Sequence, residues 1–69
     1  MMSSPEVIRL LLSQRREANR RGEPEVFEQW VTGLQVGCLI AETILIPGHG
    51  EVSPELLLRA LRLFESKAA

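Results

Sequence analysis

The apolar segment from Val36 to Ile46 is the feature that most constrains how this chain can fold. It is about half as long as a membrane-spanning helix needs to be, and it contains Glu42, so we do not expect it to cross a bilayer. A helix that is apolar nearly all round must be covered on more than one side. A chain of 69 residues has room for one small domain, residues 1–69. We therefore expect part of the cover to come from another protein.

The middle of the chain carries the clearest helical periodicity. Glu23-Pro24-Glu25 is typical of a helix start, and Pro47-Gly48-His49-Gly50 predicts where that helix ends. Between them one apolar stripe steps by three and four residues: Phe27, Trp30, Val31, Leu34, Cys38, Ala41 and Leu45. A second apolar set lies off this stripe: Val36, Leu39, Ile40 and Ile44.

Two further helices are predicted by their start signals. Ser4-Pro5-Glu6 and Ser53-Pro54-Glu55 each combine an N-cap serine, a proline and an acidic residue of the first turn. The first helix is expected to run to about Arg21 and to be closed by Gly22 in the left-handed conformation. No strand alternation is recognised. The predicted fold is all-α: an antiparallel helical hairpin plus a third C-terminal helix.

The residues available for chemistry are few. Cys38 and His49 are the good soft-metal ligands of the sequence, whereas a structural zinc site wants about four ligands. The chain contains no Asp to orient a nucleophile, and only Glu42 suggests itself as a substitute. Cys38 lies on the apolar stripe, where free cysteine behaves as a small hydrophobe. We expect no catalysis, no metal and no cofactor.

The charged residues nearly cancel, with eight basic against nine acidic side chains and a net charge of −1. A dedicated nucleic-acid binder would show a basic excess, so this class is disfavoured. A basic patch does stand at the end of the first helix: Arg15, Arg16, Arg20 and Arg21. It fits either an acidic partner or a solvated helix end, where cations complement the dipole. The absence of a secretory signal leads us to expect a cytoplasmic protein.

Two groups of apolar residues are candidate anchors for a partner. The first is Phe27, Trp30 and Leu34 in the second helix, and the second is Leu57, Leu61 and Phe64 in the third. At helical spacing Phe27 and Trp30 also fit a core. Gly33 and Gly37 lie four apart in the second helix, where glycine is unfavourable. They fit either a close approach of another element or positions tolerated because packing holds the helix.

The hairpin region resembles a known family. Arg20-Arg21-Gly22 followed by Glu25, Phe27, Gln29 and Trp30 is similar to the small E-type co-chaperones of type III secretion needle subunits. The resemblance covers residues 15–44, and it departs from the family at Phe27-Glu28, where Tyr-Gln is usual. It implies a helical hairpin that binds a helical-repeat chaperone of tetratricopeptide type. With that chaperone, it would keep a needle subunit from polymerising in the cytoplasm.

The resemblance implies that Phe27, Trp30 and Leu34 would face the chaperone. The sequence therefore predicts a small helical adaptor that works by burying an apolar helix face against a partner, without making or breaking bonds. Two alternatives remain open. One is a homodimeric helical bundle whose partner is its own copy, and the other is a small nucleic-acid regulator that uses the arginines of the first helix.

Overall fold

Three helices and one short hairpin form the fold. The structure is a computed structural model that describes residues 2–68, with side chains from residue 2 to residue 66. The elements in chain order are α1 (Ser4–Arg20), α2 (Pro24–Ile40), β1 (Ile44–Ile46), β2 (Gly50–Val52) and α3 (Pro54–Ala68). The predicted helical character is confirmed. The two strands were not predicted.

The first connection follows the predicted capping chemistry. Gly22 has φ +73°, which suits glycine. Its N–H donates to the Asn19 carbonyl at 3.1 Å, and the Glu23 N–H donates to the Ala18 carbonyl at 2.9 Å. This pair of bonds is the Schellman motif, and it lets α2 start at Pro24 after a very short turn.

The serine caps differ at the two predicted starts. The Ser53 hydroxyl accepts a hydrogen bond from the Leu56 N–H at 3.2 Å, as an N-cap should. The N-cap of α1 is Ser3 and makes no side-chain capping bond, so the prediction of Ser4 was wrong by one residue. Pro5 still lies in the first turn, where its missing N–H costs nothing.

The second helix ends earlier than predicted. α2 stops at Ile40, and Ala41 is extended with φ −104° and ψ 147°. The segment beyond it forms β1, which pairs antiparallel with β2. A helix would separate the side chains of Ile44 and Ile46 by roughly half a turn, whereas a strand puts both on one face. Both are buried together with Val52, and this shared burial explains why the strand is preferred.

A proline–glycine turn joins the two strands. Pro47 and Gly48 occupy its central positions, and the His49 N–H donates to the Ile46 carbonyl at 2.9 Å. Gly48 has φ +80°, as a type II turn requires at its third position. Pro47-Gly48-His49-Gly50, which predicts a helix end from the sequence, therefore forms a hairpin turn in the structure.

The core lies between the three helices and the inner face of the hairpin. α1 packs against both α2 and α3, and α3 packs against α2, so the third helix folds onto the helical hairpin. The Phe27 ring has its centroid 5.8 Å from that of Phe64 and 6.0 Å from that of Trp30. Among residues 2–66, fourteen apolar side chains are buried: Val7, Ile8, Leu10, Leu11, Ala18, Phe27, Leu34, Ile44, Ile46, Val52, Leu57, Ala60, Leu61 and Phe64.

Alanine at two glycines is expected to change stability in opposite directions. Gly48→Ala forces a side chain into the left-handed region and should cost about 1–2 kcal/mol. Gly33→Ala should stabilise by about 1 kcal/mol, because Gly33 lies inside α2 and an added Cβ would meet nothing within 4 Å. Urea unfolding of both variants measures the shifts. If both variants changed the free energy of unfolding in the same direction, either the turn geometry at Gly48 or the open space at Gly33 would be contradicted.

Candidate protein-binding surface

The anchors predicted from the sequence belong to the core of the chain. Among the six, Phe27, Leu34, Leu57, Leu61 and Phe64 are buried against the other elements of this same chain. They are not accessible in this fold, because α1 and α3 pack against α2 and the apolar face of α3 packs against both other helices. Trp30 is half-buried and borders a shallow depression between α1 and α2. The exposed apolar surface of the described residues therefore lies elsewhere.

The exposed apolar side chains cluster at the end of α2. Val36 is half-exposed, while Leu39 and Ile40 expose 80% and 83% of their surface. Residues three and four apart are neighbours on a helix, so these three share one face, named here the α2 outer face (Val36, Leu39 and Ile40). It lies opposite the buried stripe. The sequence already indicated this second face, since these residues are three of the four apolar residues that lie off the stripe of α2.

The hairpin exposes one further apolar side chain. Leu45 lies between the buried Ile44 and Ile46, so alternation along β1 turns it outward. Its cross-strand partner is Glu51, which is also exposed. Leu45 therefore adds an exposed leucine to the hairpin that directly follows α2.

Near the α2 outer face the backbone is open to solvent at Gly33 and is covered by a side chain at Gly37. Gly33, one turn before Val36, is exposed and has open space above it. At Gly37 an added Cβ would come within 3.1 Å of the Ile44 Cδ1. The close approach considered for both glycines is thus made at Gly37 by this chain itself. Gly33 leaves room for a second backbone to approach.

The α2 outer face is also uncharged. No charged residue occurs between Glu28 and Glu42, a stretch that includes this whole face. A partner would therefore meet it with apolar atoms, since burying an unpaired charge against it would be costly.

The arginines of the predicted basic patch do not form one anion site. Arg20 and Arg21 both donate to the Glu17 carboxylate, with Arg21 Nε 2.9 Å from Oε1. The bond from Arg20 holds the pKa of Glu17 below its usual range. Arg15 lies over the Phe64 ring, 5.9 Å from its centroid. Arg16 alone of the four makes no ion pair or ring contact among the residues the structure describes.

The candidate reactive residues stand apart. Cys38 is half-buried in α2, His49 is exposed in the hairpin turn, and Glu42 is exposed in the link before β1. Within residues 2–68 no three His, Cys, Asp or Glu side chains are grouped closely enough to hold a metal ion.

Cys38 is expected to react slowly with iodoacetamide at neutral pH. Burial raises the pKa of its thiol, so less of the reactive thiolate is present than in an exposed cysteine. The rate should be lower than that of the same chain unfolded in urea, and it should rise as the pH increases. Equal rates in the folded and unfolded chain would show that Cys38 is not covered.

The helices α1, α2 and α3 are 17, 17 and 15 residues long. Within residues 2–68, none combines the length and the apolar character needed to cross a bilayer. Comparisons with protein-family models, with curated proteins and with solved structures each find no match to this chain.

Proposed function

We propose that this chain is a non-catalytic adaptor that docks onto another protein through the α2 outer face. The observation that carries the proposal is the exposure of Leu39 and Ile40, at 80% and 83%, beside a half-exposed Val36. Burying a large aliphatic side chain is worth about 1.5–3 kcal/mol. A partner that covered Leu39 and Ile40 would thus gain several kcal/mol that the chain alone leaves unused.

The small size of the domain supports the same proposal. A core of this size rarely supplies more than about 3–5 kcal/mol, and the single cysteine permits no internal disulfide. A bound partner stabilises the folded state by mass action. Docking on the α2 outer face would therefore raise the stability of the adaptor as well as assemble the complex.

The family resemblance adds a class of partner to the proposal. It implies a helical-repeat chaperone, together with a needle subunit that the pair would keep unpolymerised. Helical repeats offer extended concave surfaces to which a helix face can bind. In this fold Phe27 points into the core and Trp30 is half-buried, so the chaperone would meet the opposite side of α2.

The second candidate function is self-association. The α2 outer face carries no charge, so two copies could pair it symmetrically without repulsion. Light scattering over a range of concentrations separates the two candidates. The adaptor proposal expects a monomer that forms a complex with a different protein, while self-association expects a dimer of the pure chain.

Site-specific photo-crosslinking tests the adaptor directly. A photoreactive amino acid replaces Ile40 in one variant and Gln14, an exposed residue of α1, in the matched control. The proposal expects one discrete adduct with a different protein from position 40 and none from position 14. Adducts of equal yield from both positions, or only adducts with a second copy, would contradict it.

A further inference from the structure

We propose that the groove between α1 and α3 binds an acidic amphipathic helix of a partner protein. This groove, the α1–α3 groove, is lined by Ser4, Pro5, Ile8, Arg9, Leu12 and Leu63. These residues come from α1 and α3 alone, so this site is separate from the α2 outer face. The inference does not rest on the proposed function. If both hold, the chain bridges two partners.

The floor of the groove is apolar and partly open. Leu12 and Leu63 leave 37% and 45% of their surface exposed, while Ile8 between the helices is buried. Two half-covered leucines on neighbouring helices form a short apolar strip. A helix that lays one apolar ridge along the groove would cover both, as in helix-in-groove recognition.

Arginines stand on both sides of this strip. Arg9 and Arg16 lie three residues before and four residues after Leu12, which places them on the same side of α1. On α3, Arg59 and Arg62 line an adjoining depression together with Leu63 and Leu58. All four arginines are exposed, and none forms an ion pair with another residue whose side chain is described. The acidic residue lining that depression is Glu55.

This arrangement determines the chemistry of the partner. Arg9 lines the groove itself, and Arg59 and Arg62 line the adjoining depression that shares Leu63 with it. These arginines call for a helix whose apolar ridge is flanked by carboxylates, since Arg pairs with carboxylates through two parallel hydrogen bonds. Arg9 and Arg16 are about two helical turns, roughly 10 Å, apart along α1. Acidic residues seven apart on the partner helix would reach both. No aromatic residue occurs among the groove-lining residues to stack on nucleic-acid bases, so a protein helix fits better.

A synthetic peptide provides the probe. It is an amphipathic helix of about five turns with leucines at alternating three- and four-residue spacing and glutamates on both flanks. A second peptide has every glutamate replaced by glutamine. Fluorescence anisotropy of the labelled peptides with the full chain should show the glutamate peptide binding at least about tenfold more tightly, and increasing salt should remove the difference.

Matched variants locate the binding site. Arg9→Gln with Arg59→Gln should weaken binding of the glutamate peptide by about tenfold or more. Arg20→Gln with Arg21→Gln removes the same charge outside the groove and should change it less than about twofold. Circular dichroism of both double variants checks that they fold. A third double variant, Leu12→Ser with Leu63→Ser, should weaken the binding of both peptides by the same factor.

Several outcomes would overturn the proposal. Equal binding of the glutamate and glutamine peptides, or no binding of either at low salt, would rule out an acidic helix as the partner. Equal weakening by the two arginine pairs would show a diffuse charge effect. A DNA duplex that bound more tightly than the glutamate peptide, and lost affinity in Arg9→Gln with Arg59→Gln, would assign the surface to nucleic acid. Dimers of the pure chain that dissociate in the same variant would assign it to a second copy.

Discussion

Leu57→Ala is expected to remove most of the free energy of unfolding of the chain. Leu57 is fully buried where α3 meets the rest of the core, with 0% of its surface exposed. Truncating such a leucine costs about 2–5 kcal/mol, because transfer energy is lost and a cavity remains. The whole domain is expected to be stable by only about 3–5 kcal/mol. Truncating this one side chain therefore costs nearly as much free energy as the whole domain has in stability.

Leu63→Ala provides the matched control for this prediction. It removes the same atoms from the same helix, at a position that is 45% exposed, and should cost about 1 kcal/mol. Urea unfolding followed by circular dichroism gives both free energies. If Leu57→Ala were no more damaging than Leu63→Ala, α3 would not pack on the hairpin as described.

Leu39→Lys with Ile40→Lys is expected to abolish partner binding and to leave folding nearly unchanged. Both side chains are exposed, so the free energy of unfolding of the lone chain should change by no more than about 0.5 kcal/mol. Lysine also suits this position, because α2 has no basic residue in its last turn to complement the dipole. Binding should lose at least about 3 kcal/mol, or more than about a hundredfold in Kd.

The control for this pair carries the same added charge elsewhere. Ser13→Lys with Gln14→Lys places two lysines at exposed positions of α1. The protein identified by crosslinking from position 40 should still bind to this control, and it should no longer bind to the Leu39→Lys with Ile40→Lys variant. Unfolding of the Leu39→Lys with Ile40→Lys chain on its own would mean that the face is covered by the chain itself.

The helices were predictable because each has a local start signal and a long periodic stripe. Pro24 and Pro54 begin helices as expected, and Gly22 closes the first one. The hairpin was not predictable in the same way, because β1 and β2 are only three residues each. Over so short a stretch, apolar residues fit the end of a helix as well as a strand. Only the shared burial of Ile44 and Val52 across the hairpin separates the two.

The exposed apolar surface was predictable only in part. The aromatic stripe of α2 fits a core or an interface equally well from its spacing, and the packing of Phe64 against Phe27 assigns it to the core. That packing joins residues far apart in sequence, which periodicity cannot reveal. The exposure of Leu39 and Ile40 was predictable, because they lie off the stripe and the described part of this small chain has no other element to cover them.

The most direct measurement is the solvent accessibility of individual methyl groups in the lone, monomeric chain. A soluble paramagnetic agent broadens the NMR signals of exposed methyl groups and spares buried ones. If the α2 outer face is exposed and binds a partner, we expect strong broadening for Leu39 and Ile40, little for Leu57 and Leu61, and protection of Leu39 and Ile40 once a partner binds. Methyl groups of Leu39 and Ile40 as protected as those of Leu57 in the monomer would contradict it.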